Sequence, residues 1–366
     1  MKRQLLTIGS LWVCSLLFAH PCSSGQEMQW IDHVEMYTSK RPPVEKRLFR
    51  SEVVERVIEE TVTLLKNEKL KWMFANCFPS TLDTTVFYES EPEDDTFVVT
   101  GDIPAMWLRD SSAQVWPYLM YANEDERLRK MIRGVILRQF RLVLLDPYAN
   151  AFYRDLSGKG EWQNDRTPMR GGIHERKWEI DSLCYVVRLA YHYWKVTGDD
   201  SVFTAEWMQV VESILTVFKD QQRKENRGNY SFLRVTDRQY DTLSNDGYGN
   251  PVRANGLIAS SFRPSDDATV YPFLIPSNFF AVTSLRQMEE ILLKVNKNKA
   301  MARACNVLYM EVGEALKKHA IHKHPTYGKI YAFEVDGYGN QLCMDDANIP
   351  SLLALPYICD VKPSDR

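Results

Sequence analysis

"IDSLCYVVRLAYHYWKVTGDD", residues 180–200, decides the class of fold. Leu183, Val187, Ala190 and Trp194 recur at helical spacing along one face, and "TGDD" at 197–200 ends the run. The same rhythm places Ile58, Val62 and Leu65 on one face, and Ile132, Ile136, Phe140 and Val143 on another. "SVFTAEWMQVVESILTVFKDQQRK" (201–224), "SNFFAVTSLRQMEEILLKVNKN" (277–298) and "KAMARACNVLYMEVGEALKKHA" (299–320) read as three more helices, with "ENRGNY" at 225–230 as a second breaker. Strand-like alternation is confined to short pieces such as "TFVVTG" and "KIYAFEV". The pattern predicts a mostly helical domain of paired helices, without coiled-coil heptads.

Composition narrows the function. The chain has 366 residues, 45% of them hydrophobic and 25% charged, enough for a large core in one or two domains. A formal net charge of −3, with no basic run, gives no footprint for nucleic acid or an anionic membrane. Aromatic residues reach 12%, with nine Trp, a surplus that suits stacking on the apolar face of a sugar as well as filling a core.

The N-terminus reads as a signal peptide over residues 1–25. Lys2 and Arg3 precede "LLTIGSLWVCSLLFA", and "SSG" at 23–25 offers small residues for cleavage. An uncleaved anchor is the alternative, and His20 and Pro21 before Cys22 make a poor lipobox. Residues 26–366 then form the exported domain, periplasmic or secreted, with no later stretch able to span a membrane. Cys77, Cys184, Cys305, Cys343 and Cys359 are odd in number and widely spaced, which predicts buried free thiols rather than a disulfide framework or a zinc site.

Long segments rich in Gly, Asp, Asn, Arg and Trp lie between the helices, and loops of that length carry function. In "MWLRDSS" (106–112), Trp107, Arg109 and Asp110 stand together. Asp110 or Ser111 caps a helix there, or Arg109 and Asp110 grip vicinal hydroxyls as a donor–acceptor pair. In "HERKWEIDSLCY" (174–185), His174, Glu175, Glu179 and Asp181 crowd a helix start. Asp181 has the look of an N-cap and Glu179 of a surface charge; ligand contact is the other reading of each.

Two acidic doublets stand out: Asp266–Asp267 in "SFRPSDDATVYPFLIPS" (261–277), and Asp345–Asp346 in "CMDDANIPSLLALPY" (343–357). Each follows a "DGYGN", at 246–250 and 336–340, read as a turn in which Gly247 and Gly337 suit positive φ. Doublets cap helices and bind cations. They also serve glycoside hydrolysis, which needs one acid on the leaving oxygen and a second carboxylate across the ring. Asp266, set among prolines and aromatics, has surroundings that would keep a carboxyl protonated. EF-hand, HExxH, GxGxxG, Walker A and GxSxG patterns are all absent, so neither metal nor cofactor is expected.

"TGDIPAMWLRDSSAQVWPY", "KWEIDSLCY", "LSNDGYGNP", "FRPSDDATVYPFLIPSN" and "YAFEVDGYGNQLCMDDANIPSLLALPY" closely resemble the metal-independent α-mannosidases of glycoside hydrolase family 125, in order from about Glu52 to about Tyr357. The resemblance implies an all-α (α/α)6 barrel and exo-acting, inverting removal of non-reducing terminal α-1,6-linked mannose, from mannan or N-glycan fragments. It carries the general acid onto Asp266, with Asp267 as fallback. It puts Trp107, Arg109, Asp110, Asp181, Asp345, Asp346 and Asn348 at the substrate.

One part of the family pattern has no counterpart. The family's general base is a glutamate in a His-Glu-Ser motif beyond "ANIPSLLALPY", and no His-Glu-Ser occurs in this chain. The resemblance therefore implies a barrel incomplete at its C-terminal end and a chain nearly silent in catalysis. A non-catalytic mannose-binding remnant and a glucoamylase-like barrel hydrolase are the competing expectations.

Overall fold

A computed structural model describes residues 37–362 and 364, so the signal-peptide reading lies outside the described residues. The first part comprises helices α1 (Glu52–Leu64), α2 (Glu68–Cys77) and α3 (Ser80–Thr84), strands β1 (Val86–Glu89), β2 (Asp95–Val98) and β3 (Met106–Trp107), then α4 (Leu108–Val115) and α5 (Glu126–Leu145). Strands β4 (Ala151–Phe152) and β5 (Ile173–Glu175) lead to α6 (Ile180–Thr197) and α7 (Ala205–Gln221). A long loop then reaches β6 (Phe273–Leu274), α8 (Ile275–Lys294) and α9 (Lys299–His319). Strands β7 (Ile321–His324), β8 (Gly328–Tyr331), β9 (Glu334–Val335) and β10 (Gln341–Leu342) and a last turn, α10 (Leu355–Ile358), follow.

The opening stretch forms α6, and it is buried nearly all round, as expected of a central helix. Leu183, Val187 and Ala190 are fully buried; Trp194 is partly exposed toward the end. Gly198, at φ 72°, takes the left-handed position that stops the helix. Helix α6 packs on α4, α5 and α8; α7 packs on α5, and α9 on α8. Local chemistry starts several helices: Ser51 accepts from Val54 N, Asp125 from Leu128 N and Asn298 from Met301 N. Buried polar groups lock α4 to α5, where Gln139 Nε2 donates to Ser111 Oγ and Ser112 Oγ, each at 2.9 Å.

The chain is helix-rich, as the periodicity predicts, but among the described residues four small antiparallel sheets stand beside the helices. "All-α" therefore fits the helices and not the loop end. Parts of the long inter-helix segments, such as 172–179 and 257–264, are buried, so their backbone groups must find partners, and short strands supply some of them. The sheet order β3–β4–β5 and the order β10–β9–β6 do this at the starts of the inner helices. Strand β3 runs straight into α4 and β6 straight into α8, while β5 ends just before α6. The N-terminal ends of α4, α6 and α8 are thereby gathered among the loops that carry the acidic and aromatic motifs.

Three sequence expectations are corrected. Cys77 and Cys343 are exposed rather than buried. Neither Asp110 nor Ser111 caps α4, whose N-cap position is Trp107; Ser111 Oγ instead donates back to Trp107 O at 2.7 Å. The N-cap position of α6 is Glu179, without a side-chain cap, and Asp181 sits in the first turn.

Candidate active site

A cavity of about 610 Å³ opens at this loop end, lined among others by Trp107, Arg109, Asp110, Tyr185, Asp266 and Asn348. A groove of 640 Å³ lies elsewhere, between α7 and α9, but none of its lining acids is buried and its Lys224 is spent on Glu311 at 2.5 Å. Perturbed acids converge only on the first of these two.

Arg109 and Asp110 enter from the first turn of α4. Arg109 Nη1 donates to Glu179 Oε2 at 2.6 Å and to Asp181 Oδ2 at 3.0 Å, and its Nε lies 3.6 Å from Asp110 Oδ2. Glu179 and Asp181 are fully buried. Glu179 is therefore no surface charge, and Asp181 stands behind Arg109 rather than on the cavity wall. Burial raises both carboxyls above their usual range against the pull of Arg109, Glu179 the more strongly, and Asp181 and Asp266 add to the rise of Glu179. Burial works against the Arg109 charge, but Glu179, Asp181, Asp110 and Asp266 together hold it well above its ordinary value. Both hydrogen bonds use Nη1, and Nη2 has no partner among the described residues, leaving donors for a ligand.

Asp266 lines the cavity from the long loop before β6, and Asp267 does not. The backbone separates the two. Asp266 sits at φ 67°, a left-handed conformation uncommon outside glycine though easier for aspartate than for most residues, with its N–H on Arg263 O at 2.9 Å. Asp267 is turned into the loop, where Ser265 Oγ donates to its Oδ2 at 3.2 Å. The loop is braced from β9. Buried Glu334 accepts from Arg263 Nε at 2.7 Å and from the N–H groups of Val270 and Tyr271 at 3.0 Å. Asp266 is itself exposed to solvent at the cavity, yet desolvation by the surrounding walls raises its carboxyl, and Glu175 and Asp110 raise it further against Lys177 and Arg109.

Trp107 is held edge-on to the His174 ring at 5.2 Å, and His174 Nδ1 lies 2.8 Å from Tyr153 Oη. Burial lowers the His174 pKa, which favours the neutral ring. Asn348 lines the opposite loop, which Tyr185 Oη ties to α6 by donating to Ile349 O at 3.1 Å. Asp345 and Asp346 sit in that loop without lining the cavity. Asp345 accepts from the N–H groups of Leu352 and Leu353 at 2.7 and 3.0 Å, and Asp346 Oδ1 from the N–H of Asn348 at 2.9 Å. Glu175 was singled out in the sequence only within the acidic crowd at a helix start, and Lys177 and Glu334 not at all. The signal for the first two was a charged run, "HERK", in an extended segment leading into an apolar helix.

Among the described residues, no group of three or more His, Cys, Asp or Glu side chains is placed to hold a metal ion, and no helix is long and apolar enough to cross a membrane.

Residues 67–366 match the sequence pattern of the metal-independent α-mannosidases, glycoside hydrolase family 125. The meiotically up-regulated gene 157 protein of Schizosaccharomyces pombe is 41% identical over 344 residues, a match covering 89% of this chain and 67% of that protein. A Streptococcus pneumoniae metal-independent α-mannosidase, solved as a non-productive complex with α-1,6-mannobiose, is 44% identical with a TM-score of 0.80, over 85% of this chain and 73% of that one. An acid that lines a pocket with arginine, aspartate and tryptophan is thus found in a chain that belongs to glycoside hydrolase family 125, the metal-independent α-mannosidases.

Proposed function

We propose that this chain forms an (α/α)6-type barrel that binds the non-reducing terminal α-1,6-linked mannose of mannan or N-glycan fragments, and that Asp266 is the general acid for cleavage with inversion. The observation that carries the reading is Asp266 itself. It lines the cavity, is held at φ 67°, and has its carboxyl pushed up by desolvation from the cavity walls and by Glu175. A carboxyl that holds its proton more tightly than an ordinary aspartate is suited to giving it to the glycosidic oxygen as the C–O bond breaks. Trp107 offers a ring face to the sugar, and Arg109 with Asp110 offers a donor and an acceptor to vicinal hydroxyls, with Asp181 fixing Arg109 from behind. Asn348 completes the binding wall, while Asp345 and Asp346 shape the loop that presents it. The mannobiose complex of the Streptococcus pneumoniae relative supports the α-1,6 linkage. The signal-peptide pattern read in residues 1–25 is the support for export, to a periplasm or to the outside.

Inversion also needs a base about 6.5–9.5 Å from the acid, across the ring. Asp110 and Asp266 are the only carboxyls among the lining residues, and Asp110 sits beside Arg109. Both oxygens of Asp345, and Oδ1 of Asp346, accept from N–H groups of their own loop. This reading therefore assigns an acid and a binding wall, and places no base among the described residues that line the cavity. The same observation favours a second reading, mannose binding without turnover. Calorimetry and product analysis with α-1,6-mannobiose on residues 26–366 test both. Binding with slow or absent hydrolysis agrees with the proposal. Failure to bind, or preference for an α-1,4-glucoside, contradicts it.

A further inference from the structure

Residues 174–179 are all buried, although five of the six, all but Trp178, are charged or titratable. Lysine is almost never buried without partners. The ammonium of Lys177 lies 2.7 Å from Asp241 Oδ1 and 3.6 Å from Glu175 Oε1, and donates to the main-chain carbonyl of Asp266 at 3.0 Å. Arg234 closes the cluster, at 3.0 Å from Glu175, 3.1 Å from Asp241 and 2.6 Å from Asp165. Two cations thus face three carboxylates beneath the Asp266 loop. Asn150 Nδ2 donates to Glu175 Oε2 at 3.0 Å, so the orientation of Glu175 is fixed at both oxygens. Neither Lys177 nor Glu175 lines the cavity.

We propose that Lys177 and Glu175 are positioning residues for Asp266: Lys177 pins the main chain so that the carboxyl faces the cavity, and the pair governs when that carboxyl releases its proton. Left-handed backbone is uncommon for a residue other than glycine, and contacts on both sides of it help to hold it. Here the Asp266 N–H is held by Arg263 O and its C=O by Lys177 Nζ, on either side of the strained φ. Other charges also reach Asp266: Arg109 and Asp110 from α4, and Glu179 at the start of α6. Glu175 and Asp110 favour the protonated form, whereas Lys177 and Arg109 favour the ionised one. The inference rests on Asp266 being the site carboxyl, but its test reads that carboxyl directly, whether or not it is the acid.

The experiment is a carbon-13 NMR titration of aspartate-labelled protein, with the Asp266 signal assigned by its loss in Asp266→Asn. Lys177→Met removes a cation and should move the Asp266 midpoint up by about one pH unit. Glu175→Gln removes an anion and should move it down by a similar amount, whereas Lys177→Arg should leave it near its starting value. Crystal structures should show residue 266 leaving positive φ in Lys177→Met and keeping it in Lys177→Arg. Should Lys177→Met fail to fold, the downward shift in Glu175→Gln and the retained midpoint in Lys177→Arg decide. An unmoved Asp266 midpoint in folded Glu175→Gln, or shifts of the same sign in Lys177→Met and Glu175→Gln, overturns the proposal and leaves both residues as structural ballast. Loss of Asp266 as the acid would appear instead in leaving-group kinetics and would leave this titration standing.

Discussion

Arg109 Nη1 meets Glu179 Oε2 at 2.6 Å, and the carboxyl it meets is fully buried. The contact joins the first turn of α4 to the N-cap position of α6, so one guanidinium ties two inner helices together and still faces the cavity. A buried pair of this kind gains little net stability over an apolar pair, but removing one partner strands the other.

Arg109→Met should lower unfolding free energy by about 3–5 kcal/mol, because Glu179 and Asp181 lose their cation in a dry site. Urea denaturation measures it. Adding Glu179→Gln should recover part of the loss. A single-variant cost near zero would mean that the contact is not made in solution.

Glu179→Gln should flatten the pH dependence of stability. The folded pKa of Glu179 is raised, by burial first, so the folded state holds more protons than the unfolded chain between the two pKa values. Stability from this group is complete below the unfolded value, roughly pH 4.3, and is lost as pH climbs toward the folded one. Removing the group should take away up to about 1.4 kcal/mol per pH unit of that decline. Thermal midpoints from pH 5 to 9 check it. An unchanged slope would show that Asp181 or Asp266 holds the proton instead.

Gly337→Ala should destabilise by about 2–4 kcal/mol, and Gly249→Ala by less. Gly337 sits at φ 81° with an added Cβ only 2.0 Å from Arg253 O, whereas Gly249, at φ 78°, has open space around it. Equal costs would show that backbone strain alone decides and that the close approach relaxes.

The helices and half of the site were legible because their signals are local. The spacing of Leu183, Val187 and Ala190 marks α6, and Trp107, Arg109 and Asp110 are neighbours in the chain that stay neighbours on one wall. Asp181 was harder to place, since an acid at a helix start looks the same whether it caps the helix or lies buried under an arginine. Glu334 was invisible, because its partner Arg263 lies 71 residues away. The "DGYGN" repeats also part company in space. Asp336 is buried and accepts from the N–H groups of Tyr338 and Asn340, whereas Asp246 is exposed at φ 56°. Identical pentapeptides take different turns when different loops pack on them. Arg253, just after the first repeat, donates its N–H to Asp336 O of the second at 2.9 Å.

The most direct test of Asp266 as the acid compares two leaving groups. The native chain and Asp266→Asn are assayed on α-1,6-mannobiose and on 2,4-dinitrophenyl α-mannoside, with azide supplied as nucleophile so that no residue need activate water. An acid is required only where the departing oxygen needs a proton. Asp266→Asn should lose roughly 10²–10⁴-fold on the mannobiose, keep most of its rate on the dinitrophenyl substrate, and give a β-configured mannosyl azide. Equal losses on the two substrates would contradict the assignment and move attention to Asp267; an α-configured product would contradict inversion.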